Sequence, residues 1–155
     1  MTNCSALPKK LILVKSIRKL NPTTTLETLI PDFKGENKDL DKIIEVMPEV
    51  ISHNLETVRR LTREVRVQAK YDRSLYVLKY LKEQGVNRTK SGIMLGLGET
   101  EGEVFETLHD LRDANVDVVT IGQYLQPSKK LLHAYLPISM LPFKDSSKFE
   151  YASPS

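Results

Sequence analysis

Apolar residues recur along this chain at two spacings, and the spacings alternate. Leu11, Val14 and Ile17 stand three apart, which predicts a helix over Pro8–Leu20. Pro8 suits its first position, and Asn21-Pro22 stops it. Thr23–Ile30 is rich in Thr, Leu and Ile and predicts a strand. Leu40, Ile43, Ile44 and Met47 predict a helix over Lys38–Met47, closed by Pro48. Glu49–Ser52 reads as a very short strand, and Leu55, Val58, Leu61 and Val65 predict a helix over Leu55–Val65. A further helix is expected over Arg73–Gln84, capped by Asp72 and ended by Gly85. Thr89–Leu95 reads as a strand. Thr100-Glu101-Gly102-Glu103 has the form of a capping box, opening a helix that carries Val104, Phe105, Leu108 and Leu111. Val116–Ile121 is the last clear strand.

Strands that alternate with helices imply right-handed crossovers and a parallel sheet. The fold class is therefore α/β. Four such strands make about half of an eight-stranded barrel; a small open parallel sheet also satisfies the pattern. Residues 1–130 are expected to form this domain. After Pro127 the pattern decays. The stretch 131–155, with prolines from Pro137 to Pro154 and a Ser-rich end, is expected to be a poorly ordered C-terminal segment.

Composition narrows the function classes. The chain has 155 residues, 40% hydrophobic and 28% charged, enough for one modest core. Its net charge of +3 comes from interleaved signs. It offers no long basic stripe for nucleic acid and no polybasic tail for a membrane. The cluster Lys9, Lys10, Lys15, Arg18 and Lys19 reads as a solvated helix face. The apolar run Leu11–Val14 is too short for a membrane span. The one cysteine, Cys4, allows no internal disulfide and no multi-cysteine metal site. These features point to a cytoplasmic setting.

In a parallel sheet all strand C-termini share one end, where ligand sites lie. Four phrases fall there: Ile30-Pro31-Asp32-Phe33, His53-Asn54-Leu55-Glu56-Thr57, Gly96-Leu97-Gly98-Glu99-Thr100 and Gly122-Gln123-Tyr124-Leu125-Gln126-Pro127-Ser128. Each also has a structural reading. Asp32 suits a turn cap, Asn54 a helix N-cap, and His53 a satisfied structural histidine. Gly96 and Gly98 allow a tight turn and lack the third glycine of a dinucleotide site. Glu99 suits either a ligand hydroxyl or a helix start. Gln123 and Gln126 suit polar ligands and not acid–base work. No nucleophile triad or zinc spacing is present, so no catalytic or metal residue is assigned.

The phrases themselves resemble a family. Leu29-Ile30-Pro31-Asp32-Phe33, Ser52-His53-Asn54-Leu55-Glu56-Thr57-Val58, Lys90 through Thr100 and Gly122 through Ser128 are similar, in order, to the strand-end motifs of lipoyl synthases. Val65-Arg66, Tyr71 through Leu75 and Asp110 through Asp113 add to the likeness, which runs from Ile17 to Lys130. The resemblance implies a partial (β/α) barrel of the radical S-adenosylmethionine type. It also implies two 4Fe-4S clusters and S-adenosylmethionine as cofactors. The partner would be an octanoylated lipoyl carrier domain, into whose octanoyl group two sulfur atoms are inserted. By resemblance, Asn54 and Glu56 face S-adenosylmethionine and Arg66 pairs with its carboxylate. Lys90 and Ser91 support the same region, Gly96 and Gly98 approach the adenine, and Gln123 and Tyr124 lie near cofactor or substrate.

The family's cysteine motifs and its closing Arg-Ser-Ser-Tyr have no counterpart here. Ser146-Ser147 and Ser153-Pro154-Ser155 do not repeat that motif. A 4Fe-4S core takes about four ligands, mostly Cys. The chain is therefore expected to be a truncated segment without cluster ligands, inactive alone or complemented by a cysteine-bearing N-terminal chain. An S-adenosylmethionine- or carrier-binding module and a remnant without function are the alternatives. An unpaired edge beside Thr23–Ile30 is expected to favour association.

Overall fold

The computed structural model describes residues 6–126 apart from 67 and 69. The segment expected to be poorly ordered, 131–155, lies outside the described residues, as does Cys4. Helix α1 spans Ala6–Leu20, followed by strand β1 (Glu27–Leu29), a 3-10 turn (Phe33–Gly35) and α2 (Asn37–Glu45). Strand β2 (Val50–Ser52) leads through a 3-10 turn (Arg59–Leu61) to the short α3 (Thr62–Val65). Then come α4 (Tyr71–Glu83), β3 (Arg88–Leu95), α5 (Glu101–Asp113) and β4 (Val118–Gln123). No described helix is long and apolar enough to cross a membrane.

The four strands are all parallel and lie in sequence order, β1-β2-β3-β4. Residues in register share a face. Ile30 and Ile51 pack with Leu40 and Ile43 of α2 and Val77 and Leu81 of α4. Ile93 and Leu95 pack with Leu78 of α4 and Val104 and Leu111 of α5. These three helices therefore cover one face. The other face carries Leu29, Ser52, Lys90 and Val118 in one row, with Gly92 and Thr120 in the next. Sequential order with the helices on one side is the geometry of a barrel segment; a doubly wound sheet would carry helices on both. The open alternative left by the sequence is thus decided toward the barrel.

Several predicted boundaries move. β1 is shorter than Thr23–Ile30, and Val116 belongs to a turn whose amide donates to the Leu111 carbonyl. Lys70, not Asp72, stands at the N-cap of α4. The largest correction concerns the helix expected over Leu55–Val65. The Glu56 amide donates to the Gly92 carbonyl, and the Met94 amide to the Glu56 carbonyl, so this stretch runs beside β3. Leu55 and Val58 are buried in the core all the same. The burial that suggested a helix is supplied by an extended segment.

Local signals that need no distant partner held. Thr100 Oγ1 accepts from the Glu103 amide, and the Glu103 carboxylate accepts from the Thr100 amide, closing the capping box. Gly85, at φ +82, ends α4 in the left-handed region. Thr100→Ala is expected to lower folding stability by about 1 kcal/mol. The reading is a lower urea midpoint at unchanged slope; an unchanged midpoint would show that the cap contributes nothing.

Candidate functional site

The strand ends converge as parallel pairing requires. Between the amides that donate to the Lys90 and Gly92 carbonyls, the chain just past β2 advances from His53 to Glu56. It thus covers three residues while β3 covers two, a one-residue bulge. Glu56 takes φ +70, uncommon for a residue with a side chain. Asn54 lies against Gly92: a Cβ there would sit 3.1 Å from Asn54 Oδ1 and 3.0 Å from Thr120 Oγ1. Asn54 Nδ2 donates to Glu56 Oε1 at 3.3 Å. Asn54 is therefore no helix N-cap. Its polar side chain belongs to the strand-end cluster.

Arg66 reaches back into this cluster from the end of α3. Its Nη1 donates to the Asn54 carbonyl at 2.8 Å, the Leu55 carbonyl at 3.5 Å and Ser74 Oγ at 3.3 Å. Burial pushes its pKa down, against the pull of Glu56 and Asp32. Among the described residues, no carboxylate stands within salt-bridge distance of it. Neighbouring Arg73 differs, with its guanidinium 2.6 Å from Asp32. Asp32 also caps its own turn through the Lys34 amide at 3.1 Å.

His53 is a satisfied structural histidine, as its structural reading expected. It is 1% exposed, with Nδ1 3.0 Å from the Ile30 carbonyl and Nε2 2.9 Å from Ser74 Oγ. Burial pushes its pKa below the ordinary value.

Gly96 and Gly98 take φ +101 and +94, conformations that require glycine in this turn. Glu99 is committed to the turn, since its carboxylate accepts from the Gly96 and Leu97 amides. Arg60 Nη2 donates to the Gly98 carbonyl at 2.9 Å, and its guanidinium forks onto both Glu103 oxygens. The Arg60 fork holds the Glu103 carboxyl down to about 2. Arg59 reaches Asp110 at 3.1 Å and also Asp72, with its charge over the Tyr71 ring. Arginines 59, 60 and 66 thus tie the segment after β2 to α4, α5 and the Gly98 turn.

The remaining expected positions divide. Lys90 is on the helix-free face, with Nζ 3.0 Å from both Glu27 oxygens, while the Ser52 hydroxyl also donates to Glu27. Ser91 is 0% exposed on the helix-covered face, where its Oγ accepts from the Leu55 amide. It supports the bulge and is not gathered with Asn54, Glu56 and Arg66. Gln123 is exposed at the end of β4. Tyr124 packs against the core, and its amide donates to the Leu95 carbonyl. Sequence reasoning missed Glu27, Arg60, Arg73 and Ser74. Their partners lie far off in the chain, so spacing gave no signal for them. Among the described residues, no group of three or more His, Cys, Asp or Glu is placed to hold a metal ion.

Comparison with family models matches the Radical SAM superfamily over residues 2–122. The chain belongs to the radical SAM superfamily. Within it, the radical SAM domain is 76% identical over 119 residues to lipoyl synthase of Flavobacterium johnsoniae, covering 77% of this chain and 41% of that one. Mitochondrial lipoyl synthase of Nematostella vectensis matches at the same identity and coverage. Lipoyl synthase of Picrophilus torridus is 57% identical over 128 residues, or 82% of this chain and 45% of that one. The chain spans less than half the length of these curated relatives. The likeness read from the strand-end phrases is therefore matched by whole-segment similarity.

Proposed function

We propose that this radical SAM domain forms the S-adenosylmethionine cradle of a lipoyl synthase, which inserts two sulfur atoms into an octanoyl group carried on a lipoyl carrier domain. Arg66 carries the reading. A half-buried guanidinium that no carboxylate among the described residues pairs is costly to keep, and an anionic ligand group offsets that cost. The α-carboxylate of S-adenosylmethionine has the charge and the forked geometry that guanidinium matches. Beside it, Glu56 offers a carboxylate to ligand hydroxyl or ammonium groups, and Asn54 offers an amide. Gly96 and Gly98 bring backbone close to the ligand, with Glu99 and Arg60 holding the turn. Gln123 and Tyr124 border the same end. Ser91 acts from behind, through the Leu55 amide, while Lys90 lies on the open face, held by Glu27. When bound, S-adenosylmethionine would supply the hydrogen-abstracting group once an electron from a cluster outside this stretch cleaves it; these residues would bind and orient it.

The iron-sulfur clusters do not fit this stretch. Its one cysteine is short of the thiolates a 4Fe-4S core takes. The cluster ligands would come from protein outside these 155 residues, whether continuous with them or a complementing chain. The single thiol supports a reducing compartment such as the cytoplasm.

The test is calorimetric titration of S-adenosylmethionine into the full chain, with far-UV circular dichroism on the same sample. Saturable one-to-one binding by a folded chain is the expected result. A folded chain that releases no binding heat and shows no spectral change at millimolar ligand would reject the cradle.

A further inference from the structure

We propose that Ser74 and His53 are positioning residues for Arg66, which they hold through a one-way chain of hydrogen bonds starting inside the core. The inference rests on the reading of Arg66 as the carboxylate-binding group. The Ile30 carbonyl can only accept, so His53 Nδ1, 3.0 Å away, carries the proton. His53 Nε2 is then the bare nitrogen, and it accepts from the Ser74 hydroxyl at 2.9 Å. With its proton committed to His53, Ser74 Oγ has only lone pairs to offer. Arg66 Nη1 donates to it at 3.3 Å and to the Asn54 carbonyl at 2.8 Å. The tautomer of His53 thus sets the direction of the Ser74 hydroxyl, and Ser74 presents an acceptor to the guanidinium. Ser74 is 0% exposed, so bulk solvent does not reach that hydroxyl.

Protonating His53 breaks the chain. Both ring nitrogens then donate, and the Ser74 hydroxyl must turn away from the ring. The charged groups around the ring are Arg66, Asp32 from the β1 end and Arg73 from α4. Arg73 is already paired with Asp32 at 2.6 Å, which leaves the new imidazolium facing Arg66 with little compensation. A buried imidazole with a depressed pKa binds fewer protons than the unfolded chain does. Its stabilisation is whole above about pH 6.5 and drains as pH falls through the folded value. Arg66 positioning should be lost over the same window.

The experiment uses the full chain and S-adenosylmethionine by calorimetry, with circular dichroism confirming the fold of every variant. Ser74→Ala is expected to weaken binding roughly tenfold, as for one lost hydrogen bond to a charged group. In an Arg66→Ala background the same change should alter binding less than about twofold, because its partner is gone. Wild type should lose affinity on acidification, and His53→Gln, which cannot titrate, should flatten that acid limb. Equal weakening by Ser74→Ala in both backgrounds, or an acid limb that survives in His53→Gln, would overturn the proposal. The ligand-free wild type supplies a reading that needs neither variants nor binding. There the Arg66 Nε–Hε resonance should shift with the same apparent pKa as the His53 ring protons. An Arg66 signal that ignores the His53 titration overturns the positioning chain. A wild type that shows this coupling but binds no ligand refutes the cradle instead.

Discussion

Leu78→Ala is expected to cost about 3 kcal/mol of folding stability, within the range for emptying a fully buried leucine site. Leu78 is 0% exposed and lies among Leu55, Val58, Ile93, Leu95 and Leu111. Its neighbours on α4, Val77 and Leu81, belong to the other apolar cluster with Ile30, Leu40, Ile43 and Ile51. This helix therefore joins both halves of the core, and a cavity under it loosens both. A domain of this size holds about 5–15 kcal/mol in all, so the loss is a large share. Equilibrium urea denaturation reads it as a lower midpoint. A loss under about 1 kcal/mol would mean that the site collapses around the gap, against the packing described.

Arg66→Ala is expected to weaken S-adenosylmethionine binding at least thirtyfold, corresponding to about 2 kcal/mol. Two contributions would add. On the proposed reading the ligand carboxylate would lose its charged donor, and the Asn54 carbonyl loses its bond from Arg66. Arg66→Lys should recover only part of the affinity, because an ammonium keeps the charge but lacks the fork. Calorimetry on wild type and both variants gives the ratio. Equal affinities for Lys and Arg would show that charge alone is recognised, and unchanged affinity in Arg66→Ala would remove Arg66 from the site.

The readable parts of the sequence were those whose determinants lie close together. Thr100 and Glu103 complete their cap within one turn of helix, and the capping box announced α5 without any knowledge of the sheet. The convergence of the four strand-end phrases followed from parallel pairing alone. Leu55, Val58, Leu61 and Val65 misled because buried residues at helical spacing also fit an extended segment that ends in a short helix. Only the ladder to Gly92 and Met94 separates the two, and its partners lie dozens of residues away. Ser91 and Lys90 show the limit of position along a strand. They are adjacent, yet alternation sends one under the helices and the other to the open face. Arg60, Ser74 and Glu27 became visible only when distant segments met.

Among the described residues β1 pairs on one side only, with β2. An edge of that kind is a template for another strand. Pairing there is second order in protein, whereas folding is first order and ligand capture is set by free ligand. An association through that edge would therefore rise with protein concentration and fade on dilution, where folding alone would not.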